Sequence, residues 1–301
     1  MPELPDVDVY VERLGALFIG QPLVGVRVAS PFLVRSVGVS PQAAVGAKVT
    51  GFSRLGKRIV WAFEGDVRFV LHLMVAGRLK LGKRGQAVPG KIGLAAFDFS
   101  ERAVLLTEAS PKKRASLHVV RGDDAVGAFD PGGLEPLGAT PEAFRAALVS
   151  ENHTLKRALT DPHLLSGIGN AYSDEILWDA RLSPVTWTTR LSDDEHRRLY
   201  DATQRQLVLW RDRLRAEAGD GLPEKVTAFR EGMAVHGRYQ EPCPRCGQKV
   251  MRIRYADNET NYCPTCQTSG KLLADRGLSR LLKGDWPKTL EELEARLRGA
   301  G

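Results

Sequence analysis

The first six residues contain the groups needed for amine chemistry. The chain opens Met1-Pro2-Glu3-Leu4-Pro5-Asp6. Methionine is normally trimmed when a small residue such as proline follows, and Pro2 would then carry the terminal amine. An α-amino group titrates near pH ~8, well below a lysine near ~10.4, so a useful fraction is unprotonated at neutral pH. Such an amine can attack an aldehyde carbon, and Glu3 is a candidate general acid or base. The alternative is a start of chain without chemistry.

The chain has four cysteines, and their spacing predicts a metal site. Cys243 and Cys246 form one C-x2-C pair, and Cys263 and Cys266 form a second pair after a sixteen-residue gap. This spacing is typical of a tetrahedral four-cysteine zinc site. Two disulfides or a redox pair are the alternatives, but no apolar signal segment precedes residue 20 and a redox site needs only one pair. Because four thiolates close the coordination shell, one structural Zn²⁺ is expected.

A glycine-containing turn is a candidate phosphate site. Gly167-Ile168-Gly169-Asn170 separates two helical patterns. Glycines permit a tight turn with exposed amides, and Asn170 is a good N-cap for the helix that follows. The N–H groups at a helix N-terminus bind phosphate. The alternative is an ordinary corner between two packed helices.

Composition predicts a class of protein but no activity. The chain has 301 residues, 43% of them apolar, a formal charge of +7 and a pI near 9.3. That length is enough for two or three domains. No run of about 18 apolar residues exists, which predicts no membrane span. Reduced cysteines indicate the cytoplasm, including the nucleoid, and the basic charge favours a polyanionic partner such as nucleic acid.

The hydrophobic periodicity changes along the chain and predicts an α+β multidomain protein. Helical spacing of Val7, Tyr10, Val11, Leu14 and Leu17 is followed by strand-like segments up to about residue 120. These include 23–28, 58–63, 68–74, 96–99 and 103–107. The predicted domains are an N-terminal catalytic β-sandwich with its helix (1–125), a helical domain (138–220), a zinc-finger hairpin (228–267) and a helical tail (268–301). Residues 121–141 are expected to be a linker, and the tail contains helical patterns at 272–282 and 289–297.

Taken together, these residues resemble the formamidopyrimidine-DNA glycosylase/endonuclease VIII family over roughly residues 2 to 267. The combination is highly specific, although no single motif is. It consists of Pro2-Glu3-Leu4-Pro5, Gly56-Lys57 before a strand, His72-Leu73 with Gly77, Lys156, Gly167–Tyr172 with Asp174-Glu175, and the hairpin ending Cys263-Pro264-Thr265-Cys266-Gln267.

The resemblance implies a fold and a reaction. The fold would be a β-sandwich, a helix–two-turn–helix domain and a zinc finger that bind double-stranded DNA with damaged bases or abasic sites. Pro2 would attack C1′ of a flipped nucleotide, and the imine would cleave the strand by β- and δ-elimination. Glu3 would protonate the sugar ring oxygen. Lys57, Lys156 and Asn170, with Gly169 before it, would hold phosphates. We expect a monomer.

Three departures from the family pattern bear on substrate choice. Asn258 stands five residues before the third cysteine, where relatives usually carry arginine, so a bidentate phosphate contact is lost. The aromatic wedge is missing, which leaves Val75, Lys113 and Arg114 to fill the space of a flipped base. The tail after Gln267 is additional. We therefore expect abasic sites and oxidised pyrimidines to be better substrates than 8-oxoguanine opposite cytosine.

Three functions are compatible with the sequence. The first is a working bifunctional DNA glycosylase/AP lyase of base excision repair. The second is a DNA-binding relative that recognises abasic or distorted sites with weak or no glycosylase activity. The third is an unrelated zinc-ribbon binder of nucleic acids. The combination of Pro2, Glu3 and Lys57 argues against the third, and retention of Pro2-Glu3 favours the first over the second.

Overall fold

The computed structural model describes residues 1–223, 229–255, 258–274 and 286–299. The chain divides into two compact units. The first contains Met1–Gly132 and the described residues from Val208 to 223, and the second contains Gly133–Leu207 and the described residues after 228. Two of the predicted functional regions therefore belong to different units: the amino terminus to the first and the cysteines to the second.

Helix α1 (Leu4–Phe18) opens the first unit. The Asp6 carboxylate accepts the backbone N–H of Glu3 at 2.8 Å and so stabilises the start of the helix. The buried residues recur at helical spacing, as predicted, and include Val7, Tyr10 and Leu14. The Tyr10 hydroxyl donates to the carbonyl of Pro223 at 3.1 Å. This buried stripe places residues 2 and 3 against the sandwich.

Two antiparallel sheets form the body of the first unit. Their orders are β1-β6-β7-β5 and β2-β3-β4-β8. The strands are β1 (Gly25–Val28), β2 (Val49–Leu55), β3 (Arg58–Phe63), β4 (Val67–His72), β5 (Gly77–Lys83), β6 (Gly93–Asp98), β7 (Arg102–Glu108) and β8 (Ser116–Arg121). A short helix α2 (Asp123–Gly127) lies in the segment expected to be a linker. The predicted β-sandwich with its helix is confirmed.

The sandwich core joins both sheets to α1. Phe18 stacks on Phe99 with ring centroids 4.2 Å apart, and Trp61 contacts Phe97 at 4.9 Å. These aromatic side chains are fully buried and belong to one apolar cluster with α1. Burial of this size makes the sandwich a rigid support for the loops that it carries.

The second unit is helical before residue 207 and carries a hairpin after it. Its helices are α3 (Pro141–Val149), α4 (Leu155–Thr160), α5 (Asn170–Asp179) and α6 (Asp193–Ala218), which continues past Leu207 into the first unit. Strands β9 (Met251–Tyr255) and β10 (Asn258–Tyr262) pair antiparallel, and α7 (Pro264–Thr268) and α8 (Leu290–Gly299) follow.

Two expectations about helix ends need correction. Gly169 is the N-cap of α5, and Asn170 is the first helical residue, because Gly169 adopts the extended backbone that precedes a helix. The helix predicted over 272–282 does not include residues 272–274, which have no regular structure, and its remainder from 275 lies outside the described residues. The second tail pattern, at 289–297, corresponds to α8. No helix in the described ranges is long and apolar enough to cross a bilayer.

Candidate active site and metal centre

The turn between β2 and β3 brings a lysine to the amino terminus. Gly56 adopts a left-handed backbone (φ 58°), which presents Lys57 at the turn. Arg54 ties this turn to α1, since its Nε lies 2.5 Å from Asp8 Oδ1 and its Nη1 donates to the carbonyl of Gly56 at 3.2 Å. Pro2 and Glu3 are both buried, and the charges of Glu3 and Lys57 both act on the amino terminus. The structure therefore brings the two residues predicted for the chemistry close to Lys57, which was predicted to hold a phosphate.

The amino group at the start of the chain deprotonates more readily than usual. Burial lowers the pKa of the α-amino group of Met1, and the positive charges of Arg78 and Lys57 lower it further. Glu3 and Asp6 act in the opposite direction. An amine in this position is therefore a better nucleophile at neutral pH than an exposed chain terminus.

His72 is a member of this cluster that the sequence did not assign to the site. It ends β4 and pairs with Arg58, the residue after Lys57, across the β3–β4 ladder. Burial, with the positive charges of Arg58, Lys57 and the amino terminus, lowers the pKa of His72 to about 4. Its Nδ1 accepts the Met74 N–H at 2.9 Å, so the neutral ring carries its proton on Nε2. The His72-Leu73 motif with Gly77, which supports the family resemblance, was the available indication.

A closed turn between β4 and β5 presents Val75. The Gly77 N–H donates to the carbonyl of Leu73 at 2.9 Å, and Met74 has a left-handed backbone with φ of 52°. A Cβ at Gly77 would lie 2.2 Å from the Leu73 carbonyl oxygen, so only glycine fits. Val75 at the tip is 57% exposed. The turn thus presents a small apolar side chain where the sequence predicted a space-filling residue.

The two basic residues predicted in the loop between β7 and β8, Lys113 and Arg114, differ in their contacts and exposure. The carboxylate of buried Glu108 accepts the backbone N–H groups of Arg114 and Ala115, at 2.9 and 3.0 Å. The Lys113 ammonium donates to the carbonyl of Glu108 inside the loop. Arg114 is exposed. Of the pair, Arg114 is therefore the better placed to reach a ligand.

In the second unit, Lys156 lies against the start of α5. Its Nζ donates to the carbonyl of Asn170 at 2.7 Å and contacts Asp174 Oδ1 at 2.5 Å. The side chain of Lys156 is 13% exposed, whereas that of Asp174 is fully buried. The Asn170 Nδ2 donates to the carbonyl of Glu259 at 2.9 Å. The two predicted phosphate ligands of this unit, with Gly169 beside them, are therefore adjacent.

Two buried acids on α5 organise the surrounding chain. Asp174 Oδ2 accepts from His236 Nδ1 at 2.7 Å and from the Asn261 N–H at 3.1 Å. The Glu175 carboxylate accepts the N–H groups of residues 234–236 at 2.7 to 2.9 Å. Burial raises the pKa of Glu175, although these three hydrogen bonds act in the opposite direction. Sequence reasoning matched these acids to the family pattern but gave them no role.

The four cysteines converge on one point. Their Sγ atoms all lie within 4.8 Å of one another, with Cys243–Cys266 at 3.9 Å and Cys246–Cys263 at 3.4 Å. Four sulfurs around a tetrahedral Zn²⁺ at about 2.3 Å would be about 3.8 Å apart, so the cluster fits zinc. These distances exceed the about 2.05 Å of a disulfide, which removes that alternative. The prediction of one structural zinc site is confirmed.

Neighbouring side chains orient the zinc ligands. Trp178 Nε1 donates to Cys243 Sγ at 3.3 Å, and the Arg245 guanidinium lies 3.9 Å from the centroid of the Trp178 ring. The Cys263 N–H donates to Gln267 Oε1 at 2.8 Å, and Gln267 Nε2 donates to the carbonyl of Leu182 at 2.9 Å. These contacts connect the finger to the helical part of its own unit.

Asn258 is exposed at the start of β10 and pairs with Tyr255. Of the two arginines on β9, Arg252 is engaged within the hairpin region: its guanidinium lies 4.0 Å from the centroid of the Tyr239 ring, and its Nη1 lies 3.3 Å from Glu259 Oε2. Arg254 is exposed and pairs with Glu259 across the ladder. The residue that differs from the family pattern is therefore accessible on the hairpin.

Comparisons with known proteins identify the family of the chain. Three family models match: the formamidopyrimidine-DNA glycosylase N-terminal domain over residues 1–116, its H2TH domain over 133–210, and the zinc finger found in FPG and IleRS over 240–268. The chain is 35% identical over 282 residues to the formamidopyrimidine-DNA glycosylase of Thermus thermophilus, covering 90% of this chain and 100% of that protein. The chain belongs to the formamidopyrimidine-DNA glycosylase family. The resemblance inferred from sequence is confirmed.

Other relatives extend this result. An uncharacterized formamidopyrimidine-DNA glycosylase-like protein of Mycobacterium tuberculosis is 40% identical over 151 residues, or 50% of this chain and 94% of that protein. A structure of Lactococcus lactis Fpg with abasic-site DNA has 25% identity and a TM-score of 0.77, covering 88% of this chain and 99% of that one. A second, with N7-benzyl-Fapy-dG DNA, has 25% identity and a TM-score of 0.78, covering 89% and 100%.

Proposed function

We propose that the chain is a bifunctional DNA glycosylase/AP lyase of base excision repair, with Pro2 as nucleophile after removal of Met1. The observation that carries the proposal is that Pro2 and Glu3 are buried at the amino terminus, where burial and the nearby charge of Lys57 lower the pKa of the Met1 α-amino group. Family relatives matched over their full length carry the name formamidopyrimidine-DNA glycosylase. The family gives the reaction class, and burial favours an unprotonated amine at the chain terminus.

The reaction follows from this arrangement. The Pro2 nitrogen attacks C1′ as the N-glycosidic bond breaks, and the base departs with the bonding electron pair and takes up the proton that the amine releases. Glu3 supplies a proton to the sugar ring oxygen, which opens the ring and leaves an iminium ion. That ion acidifies the neighbouring C–H, so β-elimination expels the 3′ phosphate and δ-elimination the 5′ phosphate. Lys57 offers a positive charge to the phosphates at this site.

Phosphates on the second unit would be held by Lys156 and Asn170. The Lys156 ammonium has three hydrogens, and two of them meet Asn170 and Asp174. The Asn170 amide has a second hydrogen beyond the one given to Glu259. Both lie at the N-terminus of α5, where the backbone N–H groups after Gly169 favour an anion. The partner is double-stranded DNA with a damaged base or abasic site.

Substrate choice would depend on Val75, Lys113 and Arg114. A flipped base leaves a hole in the stack, and unstacking costs a few kcal/mol. Valine fills less of that hole than an aromatic ring, and Lys113 is tied inside its loop. Exposed Asn258 supplies no charge to flanking phosphates. We propose that abasic sites and oxidised pyrimidines are processed faster than 8-oxoguanine opposite cytosine, and that the protein acts as a cytoplasmic monomer.

Borohydride trapping on abasic-site duplex tests the nucleophile. The reaction should give a covalent protein–DNA adduct, and Pro2→Gly should reduce it strongly. A variant with an N-terminal extension blocks the amine and serves as the matched control. Intact mass of the purified protein establishes whether Met1 has been removed. Equal trapping by the extended variant would assign the nucleophile to a lysine.

Abasic-site duplex and related oligonucleotides also distinguish the proposed enzyme from the alternative function. Asn258, where the family pattern has arginine, favours a relative that binds abasic DNA with weak or no glycosylase activity. Single-turnover rates on abasic, oxidised-pyrimidine and 8-oxoguanine duplexes distinguish the two. Binding without an adduct or base release would support the alternative. Excision of 8-oxoguanine opposite cytosine as fast as cleavage at an abasic site would contradict the proposed order of substrates.

A further inference from the structure

The chain after the zinc finger packs on the hairpin. Four leucines of this C-terminal extension, defined as the described residues after Gly270, contact an apolar cluster on β9 and β10. The leucines are Leu272, Leu273, Leu290 and Leu293, and the hairpin side chains are Met251, Ile253 and Tyr262. The zinc-finger model ends at residue 268, and the Thermus thermophilus relative matches 90% of this chain with 100% of its own length. Family membership therefore does not account for this cluster.

Backbone hydrogen bonds fasten the C-terminal extension. The Leu272 N–H donates to the carbonyl of Lys288 at 2.8 Å, and Lys271 and Thr289 form an antiparallel bridge. The Leu273 N–H donates to the Tyr262 hydroxyl at 2.8 Å. Tyr262 directly precedes the zinc ligand Cys263 in the chain. The two described segments of the extension are thus joined to each other, and the first is joined to β10.

The two faces of the hairpin have different partners. Because Met251 and Tyr262 are paired across the ladder, their side chains share one face, which meets the extension. Arg252 and Asn261, the next pair, lie on the opposite face. Asn261 donates to Asp174 of α5 from that face. The hairpin is therefore held between α5 and the C-terminal extension.

We propose that the C-terminal extension is a positioning element for the hairpin that acts alongside zinc. A finger of this size has too few apolar residues for a core of its own and depends on its metal for folding. Here the apolar cluster gives β9 and β10 a packed support in addition to the metal site. This proposal rests on the proposed function in one respect, since the hairpin is taken to meet DNA.

Truncation after Gly270 tests the extension. The truncated protein should keep one zinc per chain because all four cysteines remain. Its Kd for abasic-site duplex should rise about tenfold, and hairpin amides at 258–262 should exchange hydrogen at least about tenfold faster. The single-turnover cleavage rate at saturating protein should stay unchanged, because the chemistry belongs to the first unit.

Point variants of the full-length chain test the same proposal if the truncated protein proves insoluble. Leu290→Ala combined with Leu293→Ala empties the cluster from α8 and leaves the chain at full length. Tyr262→Phe removes the acceptor of the Leu273 N–H and retains the ring. Glu291→Ala, an exposed substitution on α8, is the matched control and should behave as wild type.

The outcomes separate this inference from the proposed function. Wild-type Kd and wild-type hairpin exchange in both the truncated and the double-leucine proteins would overturn the positioning role. Wild-type protein that fails to bind abasic DNA would refute the proposed function, while hairpin exchange would still report on the extension. Faster exchange with an unchanged Kd would show that the extension stabilises the hairpin without serving DNA binding, which also overturns the proposal.

Discussion

Replacing Asp174 with asparagine should destabilise the second unit by removing the charge partner of Lys156. The carboxylate is fully buried and lies 2.5 Å from the Lys156 ammonium. It also accepts from His236 at 2.7 Å and from the Asn261 N–H at 3.1 Å. Asparagine has nearly the same shape, but one of its two terminal atoms becomes a donor that must face another donor. The substitution therefore keeps the shape of the side chain while it removes the charge and one acceptor.

The expected loss is about 3 kcal/mol. Removing one partner of a buried ion pair costs about 3–5 kcal/mol, because the remaining charge stays in a poorly solvated position. Lys156 retains some solvent contact, with 13% of its side chain exposed, which places the value at the lower end. For a unit of this size, a loss of about 3 kcal/mol corresponds to a fall in Tm of about 6–12 °C.

Urea and thermal unfolding of the full chain, followed by tryptophan fluorescence, measure the effect. Asp194→Asn is the matched control, because its pair with Arg198 on α6 is exposed. That change should cost no more than about 1 kcal/mol. Combining Asp174→Asn with Lys156→Met removes the stranded charge and should recover part of the loss. Asp174→Asn within about 1 kcal/mol of wild type, or strict additivity in the double variant, would refute the reasoning.

Three further outcomes follow from the sites. Cys263→Ser should abolish zinc binding and weaken DNA binding while the β-sandwich stays folded, as metal analysis and circular dichroism would report. Lys57→Ala should weaken DNA binding and reduce the slope of log K against log salt by about one charge, and an unchanged slope would remove Lys57 from the phosphate contacts. His72, with a pKa of about 4 in the folded protein and about 6.5 when unfolded, binds more protons unfolded, so stability should fall by about 2 kcal/mol from pH 7 to pH 5. His72→Gln should remove that part of the pH dependence.

Elements with local, repetitive patterns were predictable from the sequence. Strand β3 (Arg58–Phe63) has the predicted bounds, because its apolar run is interrupted by turn residues at both ends. Strand β5 (Gly77–Lys83) was not among the segments named from the sequence, because a glycine at its start and another near its end leave only a short apolar alternation. The cysteine spacing predicted a metal site because ligand geometry constrains the sequence directly.

Contacts between distant segments were not predictable in the same way. A charged pair such as Asp174-Glu175 on a helix is usually solvated, yet both are buried here. Apart from Lys156, their partners lie 59 to 87 residues later in the chain, as His236 and Asn261 do for Asp174. The packing of α8 on the hairpin likewise depends on tertiary contacts that no local periodicity encodes.

In the turn that ends β4, the residues that fix the backbone differ from the residue whose side chain is exposed. Its path depends on the carbonyl of Leu73, on the missing Cβ of Gly77 and on Arg78, whose Nη1 donates to the carbonyls of Val75 and Gly77. None of these contacts uses the Val75 side chain. If Val75 fills the space of a flipped base as proposed, substitutions at this one position would alter which lesion is accepted at little cost in folding, and a saturation library at Val75 would test this on a constant scaffold.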